Sequence, residues 1–371
     1  MTAPSGAGTP SGVPARHRIG ARMGAGASPS TAEPWARKLW DAVIALDEDA
    51  AADVVTGALD SGVDAESVLL DVIGAVQHKV GVEWAADRLS VAQEHAATAL
   101  NERAVATLSL SHRPEGERRG RVLVACVDQE WHALPARLLA ETLRLRGWQV
   151  DYLGARTPTP HLVGHIHRTG PSAVCLSSSL SARLPLAHAA LTACQAAGVP
   201  VMVGGLAFGH DGRYARPLGA DAWAPDARTA ADRLAAGLPL PPPPHQTVHD
   251  LPHLADQEYT LLRRDSRRLV RETLTGLRAR HPSVGAYGEE QLERTAEDLG
   301  HIVEALTTAL YLDEDGLFVD FLGWTAEILT ARGVPADSLL PALDLLEEQV
   351  RDFLRAPRVL RAGRTALRDH R

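Results

Sequence analysis

The stretch Arg121-Val122-Leu123-Val124-Ala125-Cys126-Val127, followed by Asp128-Gln129-Glu130-Trp131-His132-Ala133-Leu134-Pro135, decides how this chain reads. After Arg121 its first part is apolar without alternation. That is the pattern of a strand covered on both faces, as in a parallel sheet. Its second part places a carboxylate two residues before an imidazole, in the loop leaving that strand. Downstream, 148–153, 173–177, 199–203 and 220–224 read as further short strands. Helical stretches fall between them at 136–146, 159–168, 184–197 and 227–236.

Strands alternating with helices at this spacing predict a doubly wound α/β sheet over 119–238, in a flavodoxin-like, Rossmann-type order. Working outward, residues 34–112 have a helical period, with Leu39, Val43 and Leu46 on one face, and are expected to form a four-helix bundle. Ser90-Val91-Ala92-Gln93 is a capping box, so a helix should start near Ser90 and the one carrying Trp84 should end before it. Residues 1–33 are rich in Gly, Ala, Ser, Pro and Thr and read as a disordered leader, with no pattern for a DNA-binding head. A polar linker is expected at 111–120 and a stiff Pro-rich one over 239–256. Residues 257–371 return to helical periodicity, with His301, Leu306 and Leu310 expected on the face built around Leu299. They read as a separate all-helical domain. The fold class is therefore α/β plus all-α.

Composition excludes several functions. The net charge of -8 argues against a broad basic face for DNA. The two lysines, Lys38 and Lys79, stand in no GxxxxGK context, so there is no P-loop. Cys126, Cys175 and Cys194 are too few for a disulfide framework or a Cys-based zinc site. No apolar run approaches the ~20 residues of a membrane span, and no secretory signal stands at the start, so a cytoplasmic protein is expected. No kinase, cyclase or phosphodiesterase motif follows residue 257, and the expectation is a sensor and not an enzyme. Trp, at seven residues, outnumbers Tyr at five and Phe at four, which makes the tryptophans worth following.

Ligands of an open α/β sheet bind at the carboxyl ends of its strands. There the chain offers Asp128, Glu130, Trp131 and His132, then Ser178-Ser179-Leu180, then Gly204-Gly205, then Trp223. A loop histidine more often packs or caps than ligates. Here three further loops put hydroxyls, bare backbone and an indole on the same edge.

That order resembles the cobalamin-binding Rossmann domain, whose motifs are D/E-x-H-x-x-G, S-x-L and G-G. The resemblance implies that His132 ligates cobalt from below, that Glu130 orients its imidazole, and that Ser178, Leu180, Gly204 and Gly205 line a slot for the displaced base. Pro135 stands where the family has Gly. In the bundle, Trp84, nine residues and then Glu94-His95 match the upper-face cap of the light-responsive carotenoid repressors. This implies that Trp84 packs over the adenosyl ligand of adenosylcobalamin, with Glu94 and His95 at its ribose. Ala85 follows Trp84 where those repressors can carry a histidine. The alternative is a core Trp followed by helix-start charges.

The whole layout, over about residues 35–360, is similar to the photocobilins. These join such a module to a globin-like C-terminal domain that binds biliverdin. The resemblance implies a light sensor with biliverdin as second chromophore, held by His301, Phe321 and Trp324 among the aromatics Tyr311 and Phe318. Heme on His301 and a plain aromatic minicore are the competing readings. It also implies a homo-oligomer that changes with light and a separate downstream protein. A methyl-carrying corrinoid protein and a light-independent cobalamin sensor remain alternatives.

Overall fold

A computed structural model of the protein describes residues 31–111, 119–240 and 251–369. Most of the expected leader and parts of both linkers, 112–118 and 241–250, lie outside the described residues.

The first layer is α1 (Glu33–Ile44), α2 (Glu48–Asp60), α3 (Ala65–Ser67), a π-helical segment (Val68–Ile73), α4 (Gly74–Ala85) and α5 (Val91–Ser111). The α3–π–α4 rod is continuous, so the layer counts as four helices around Leu39, Val55, Leu69, Ile73 and Val105. Leu46 is a correction. It lies past the end of α1 with a left-handed φ of 57° and is 54% exposed, because the chain must turn there.

The second layer is β1 (Arg121–Cys126), α6 (Ala133–Leu145), β2 (Gln149–Gly154), α7 (Thr159–Thr169), β3 (Ala173–Ser177), α8 (Leu184–Ala196), β4 (Val201–Gly204), β5 (Ala222–Ala224) and α9 (Ala227–Ala236). The strands pair in parallel in the order β2-β1-β3-β4-β5. This is a Rossmann-like sheet with a helical cap. Cys126 pairs with Ser177, Ser177 with Gly204, and Gly204 with Ala224. Four strands thus end level, and their following loops leave from one edge. Helix α6 starts earlier than expected. Pro135 is its third residue, where a missing N–H leaves no intrahelical bond unmade.

Alternate β1 residues serve two cores. Val122, Val124 and Cys126 pack with α6 and α9. Leu123, Ala125 and Val127 pack with α7 and α8, and this second core continues into the C-terminal helices. Those are α10 (Glu258–Arg280), α11 (Pro282–Gly285), α12 (Glu289–Leu312), α13 (Asp315–Ala331), α14 (Leu340–Gln349) and α15 (Ala356–Asp369). The expectation of a separate C-terminal domain is corrected to this extent: the helices share buried apolar surface with the sheet. A sheet covered by helices on both faces leaves the outer side of α8 to be covered in turn, and α12 lies there, with the Tyr311 hydroxyl 2.7 Å from His188 Nδ1. The bundle is tied to the opposite side. Leu134 of α6 enters its core, and Arg146 and Arg228 pair with Glu66 and Asp71.

Candidate functional site

Glu130 organises the sheet edge. Gln129 takes a left-handed φ of 63°, which turns the chain sharply after β1 and puts the Glu130 side chain inside, fully buried. One carboxylate oxygen accepts from the His132 backbone amide at 2.9 Å and bonds His132 Nδ1 at 2.6 Å. The other accepts from the Ser178 hydroxyl at 3.1 Å and from the amides of Ser179 and Leu180 at 2.7 and 3.1 Å. Burial alone raises the pKa of a carboxyl. Here the imidazole and amide of His132 and the two loop amides outweigh it and hold Glu130 down at about 2. It is therefore a fixed anion joining the β1 and β3 loops.

An anion at Nδ1 keeps the proton on that nitrogen and turns the Nε2 lone pair outward. The His132 side chain is 42% exposed, and no protein group among the described residues bonds Nε2. An imidazole with one nitrogen fixed by a carboxylate and the other open is a donor set that fits a metal ion. The Trp131 ring sits beside it, centroids 5.3 Å apart, and is 54% exposed. Asp128 is half-buried on the same loop.

The other sheet residues are placed differently from what their motifs suggest. Ser178 is fully buried and its hydroxyl lies 3.1 Å from Glu130 and 3.3 Å from the Leu180 oxygen, so it ties the β3 loop to the β1 loop. A Cβ on Gly205 would lie 2.2 Å from the Ser178 carbonyl oxygen, and its φ is +99°. One on Gly204 would lie 3.2 Å from the Ala224 oxygen. The glycine pair is explained by the close approach of neighbouring backbone before any ligand is considered. Trp223 is a further correction: it belongs to the core shared with α8, its ring pressed against Gly212, and its indole nitrogen is buried without a partner.

In the bundle, the capping box forms: the Ser90 amide donates to Gln93 Oε1 at 2.9 Å and the Gln93 amide to the Ser90 hydroxyl at 3.3 Å. It sets α5 so that Glu94 and His95 stand near its start, one helical turn-and-loop after Trp84. Glu94 accepts from Thr98 at 2.9 Å. His95 is exposed, with Nδ1 2.7 Å from the Val91 oxygen. No hydrogen bond, ion pair or ring contact joins Trp84, Glu94 or His95 to His132 among the described residues.

The C-terminal cluster comes apart. Phe318 is fully buried in the helical core and Phe321 packs at its margin. Tyr311 stacks edge-on with Tyr259 at 4.8 Å. Trp324 leaves the group altogether and stands 6.5 Å from Trp84 of the bundle. The expected place of His301 is corrected: it is exposed and off the apolar face of Leu299, Leu306 and Leu310, because two residues along a helix turn the side chain roughly 200°. The expectation of one aromatic pocket is corrected: these residues serve three different contacts. Sequence reasoning missed Arg183, over the Trp131 ring at 6.0 Å, and Arg332, over the Trp84 ring at 5.4 Å. Nothing local marks either among so many arginines.

A B12 binding domain family model matches residues 35–109, and a second one matches residues 120–235. The first match falls on the bundle and the second on the sheet. The chain is similar to two curated regulators of Myxococcus xanthus. The HTH-type transcriptional repressor CarA is 35% identical over 185 residues, 47% of this chain and 59% of the repressor. The repressor CarH is 32% identical over 181 residues, with the same coverage of 47% and 59%. The chain spans 59% of the length of these relatives. Among solved structures, the monomethylamine corrinoid protein of Methanosarcina barkeri aligns at 19% identity and a TM-score of 0.48, over 54% of this chain and 96% of that one. A cobalamin-binding protein of Desulfitobacterium hafniense DCB-2 aligns at 21% identity and a TM-score of 0.31, over 54% and 97%.

Proposed function

We propose that the protein is a light sensor built on adenosylcobalamin. His132 Nε2 would be the donor to its cobalt, with the imidazole held by Glu130. Trp84 covers the upper ligand, with Glu94 and His95 at its ribose. When bound, adenosylcobalamin supplies a cobalt–carbon bond that visible light breaks. The chain's own residues do the rest. Glu130 keeps the imidazole in one tautomer and one place. Trp84, Glu94 and His95 would hold the adenosyl group at the α4–α5 turn, and the turn would lose those contacts without it. The output is a change in self-association or in binding to a separate protein, not a catalysed reaction. The observation that carries the cobalamin part is the Glu130–His132 bond with Nε2 left open. The Trp84-x9-Glu94-His95 spacing supports the light part.

The finer reading adds biliverdin beside the C-terminal helices, which the resemblance makes globin-like. Its support is that Asp298, whose pKa burial raises, lies within electrostatic reach of His301 and Arg332. Arg332 in turn lies over the Trp84 ring, which Trp324 also approaches. Heme on His301 is the competing ligand.

The test is an absorption spectrum of the purified full chain given adenosylcobalamin, recorded in the dark and after green light. The expected result is a visible-band change on illumination, with an altered elution volume in size-exclusion chromatography. A bound cobalamin whose spectrum ignores light sinks the photoreceptor reading. An unchanged spectrum with elution that follows cobalamin alone points to a light-independent cobalamin sensor, and dark methyl transfer to a thiol points to a corrinoid carrier. Added biliverdin should give a far-red band, whereas heme gives a sharp Soret band.

A further inference from the structure

The two tryptophans of the proposed cobalamin site are each held by an arginine tied to a carboxylate, and both ties involve the C-terminal helices. On the sheet side, Arg183 lies over the Trp131 ring at 6.0 Å and pairs with Glu304 of α12 at 2.6 Å. Arg183 is only 12% exposed, and its Nε is buried without a partner, so Glu304 is the anion that neutralises it. On the bundle side, Arg332, just past α13, lies over the Trp84 ring at 5.4 Å and pairs with Asp87 at 3.6 Å. Trp324 of α13 adds a ring contact to Trp84 at 6.5 Å.

We infer that Glu304, Trp324 and Arg332 are positioning residues for the cobalamin site, forming a strap that joins its two halves and slows release of the cofactor. This deepens the cobalamin reading above and rests on it. The physical case is one of geometry. The bundle already packs on α6 through Leu134 and the Arg146 and Arg228 pairs; the C-terminal helices add a second link, made to Trp131 and Trp84 themselves. Helices α12 and α13 are packed on one another in a single core, and that rigid pair touches Trp131 through Arg183 and touches Trp84 directly. An ordered strap also gives the C-terminal helices a direct sense of where Trp84 is. Any shift of the α4 end must break or carry the Arg332 and Trp324 contacts.

The two ties differ in strength. The Arg183–Glu304 pair is mostly shielded from water, whereas the Asp87–Arg332 pair is half exposed and gains less from charge. The experiment uses the full chain loaded with hydroxocobalamin, and follows its release by absorbance after dilution. Glu304→Gln should speed release by about 10-fold and Arg332→Gln by about 3-fold, the second being a solvent-side change that the fold tolerates. Arg332→Lys, which keeps the charge and loses the planar ring contact, should fall between wild type and Arg332→Gln. Hydrogen exchange of the cobalamin-free protein gives a second readout. Arg332→Gln and Trp324→Ala should each raise exchange in the last turn of α4, without altering β1.

Release rates within twofold of wild type in both variants, or α4 exchange that ignores Arg332 and Trp324, overturn the inference. Wild-type chain that takes up no hydroxocobalamin fails the cobalamin reading, and the strap with it. Uptake with unaltered release fails the strap alone.

Discussion

His132 and His301 are the two histidines the sequence singles out as tetrapyrrole ligands, and the structure treats them in opposite ways. His132 sits on a loop whose path is fixed by a buried anion two residues earlier, with five donors converging on Glu130. His301 stands exposed on α12, with an apolar face turned the other way. A ligand histidine must be held before the metal arrives, since the ordering entropy is otherwise lost on binding. By that measure the sheet edge is a prepared site, and the α12 face depends on its second ligand to order it.

The largest expected effect tests the prepared side. His132→Ala should abolish the spectrum of imidazole-ligated cobalamin, leaving a base-on or water-ligated form that visible spectroscopy distinguishes. A retained imidazole spectrum would move the lower ligand elsewhere and undo the comparison. Next comes Glu130→Gln. The amide keeps the size of the side chain but ends the anion at Nδ1, and one of its ends is a donor facing donors. Cobalamin affinity should fall about 10–100-fold in a titration followed by absorbance. An effect below threefold would mean that the imidazole is held by something other than Glu130. The smallest effect is on the other side. His301→Ala should change unfolding stability by less than about 0.5 kcal/mol in urea, as exposed substitutions do, and leave cobalamin affinity alone. It should still abolish a far-red band gained with biliverdin. Full retention of that band would remove His301 from the second site.

The difference between the two histidines also explains what could be read ahead of the structure. Glu130 and His132 are two residues apart, so their bond is local and the motif announces it. The capping box from Ser90 to Gln93 is local in the same sense, and it forms. The aromatics from Tyr311 to Trp324 are close in sequence too, but helical geometry points them in different directions, into the core, toward α8 and toward the bundle. Clustering along a helix is not clustering in space. Gly205 shows a subtler limit. The sequence marks it as a place where a Cβ must be missing, but not what needs the space, which turns out to be the Ser178 carbonyl.

By itself, then, the sequence determined the parallel sheet, the four-helix cap, the helical C-terminal part and the Glu130–His132 pair. All of these follow from periodicity or from neighbours a few residues apart. Only the tertiary structure decided that the sheet and the C-terminal helices share one core, that the Ser178 hydroxyl bonds Glu130, and that Trp84 meets Trp324 and Arg332. These contacts join residues far apart in sequence, 48 positions for Ser178 and Glu130 and more than two hundred for Trp84 and Trp324. Nothing in the local pattern of either partner specifies the other; the shape and charge of the assembled surfaces do.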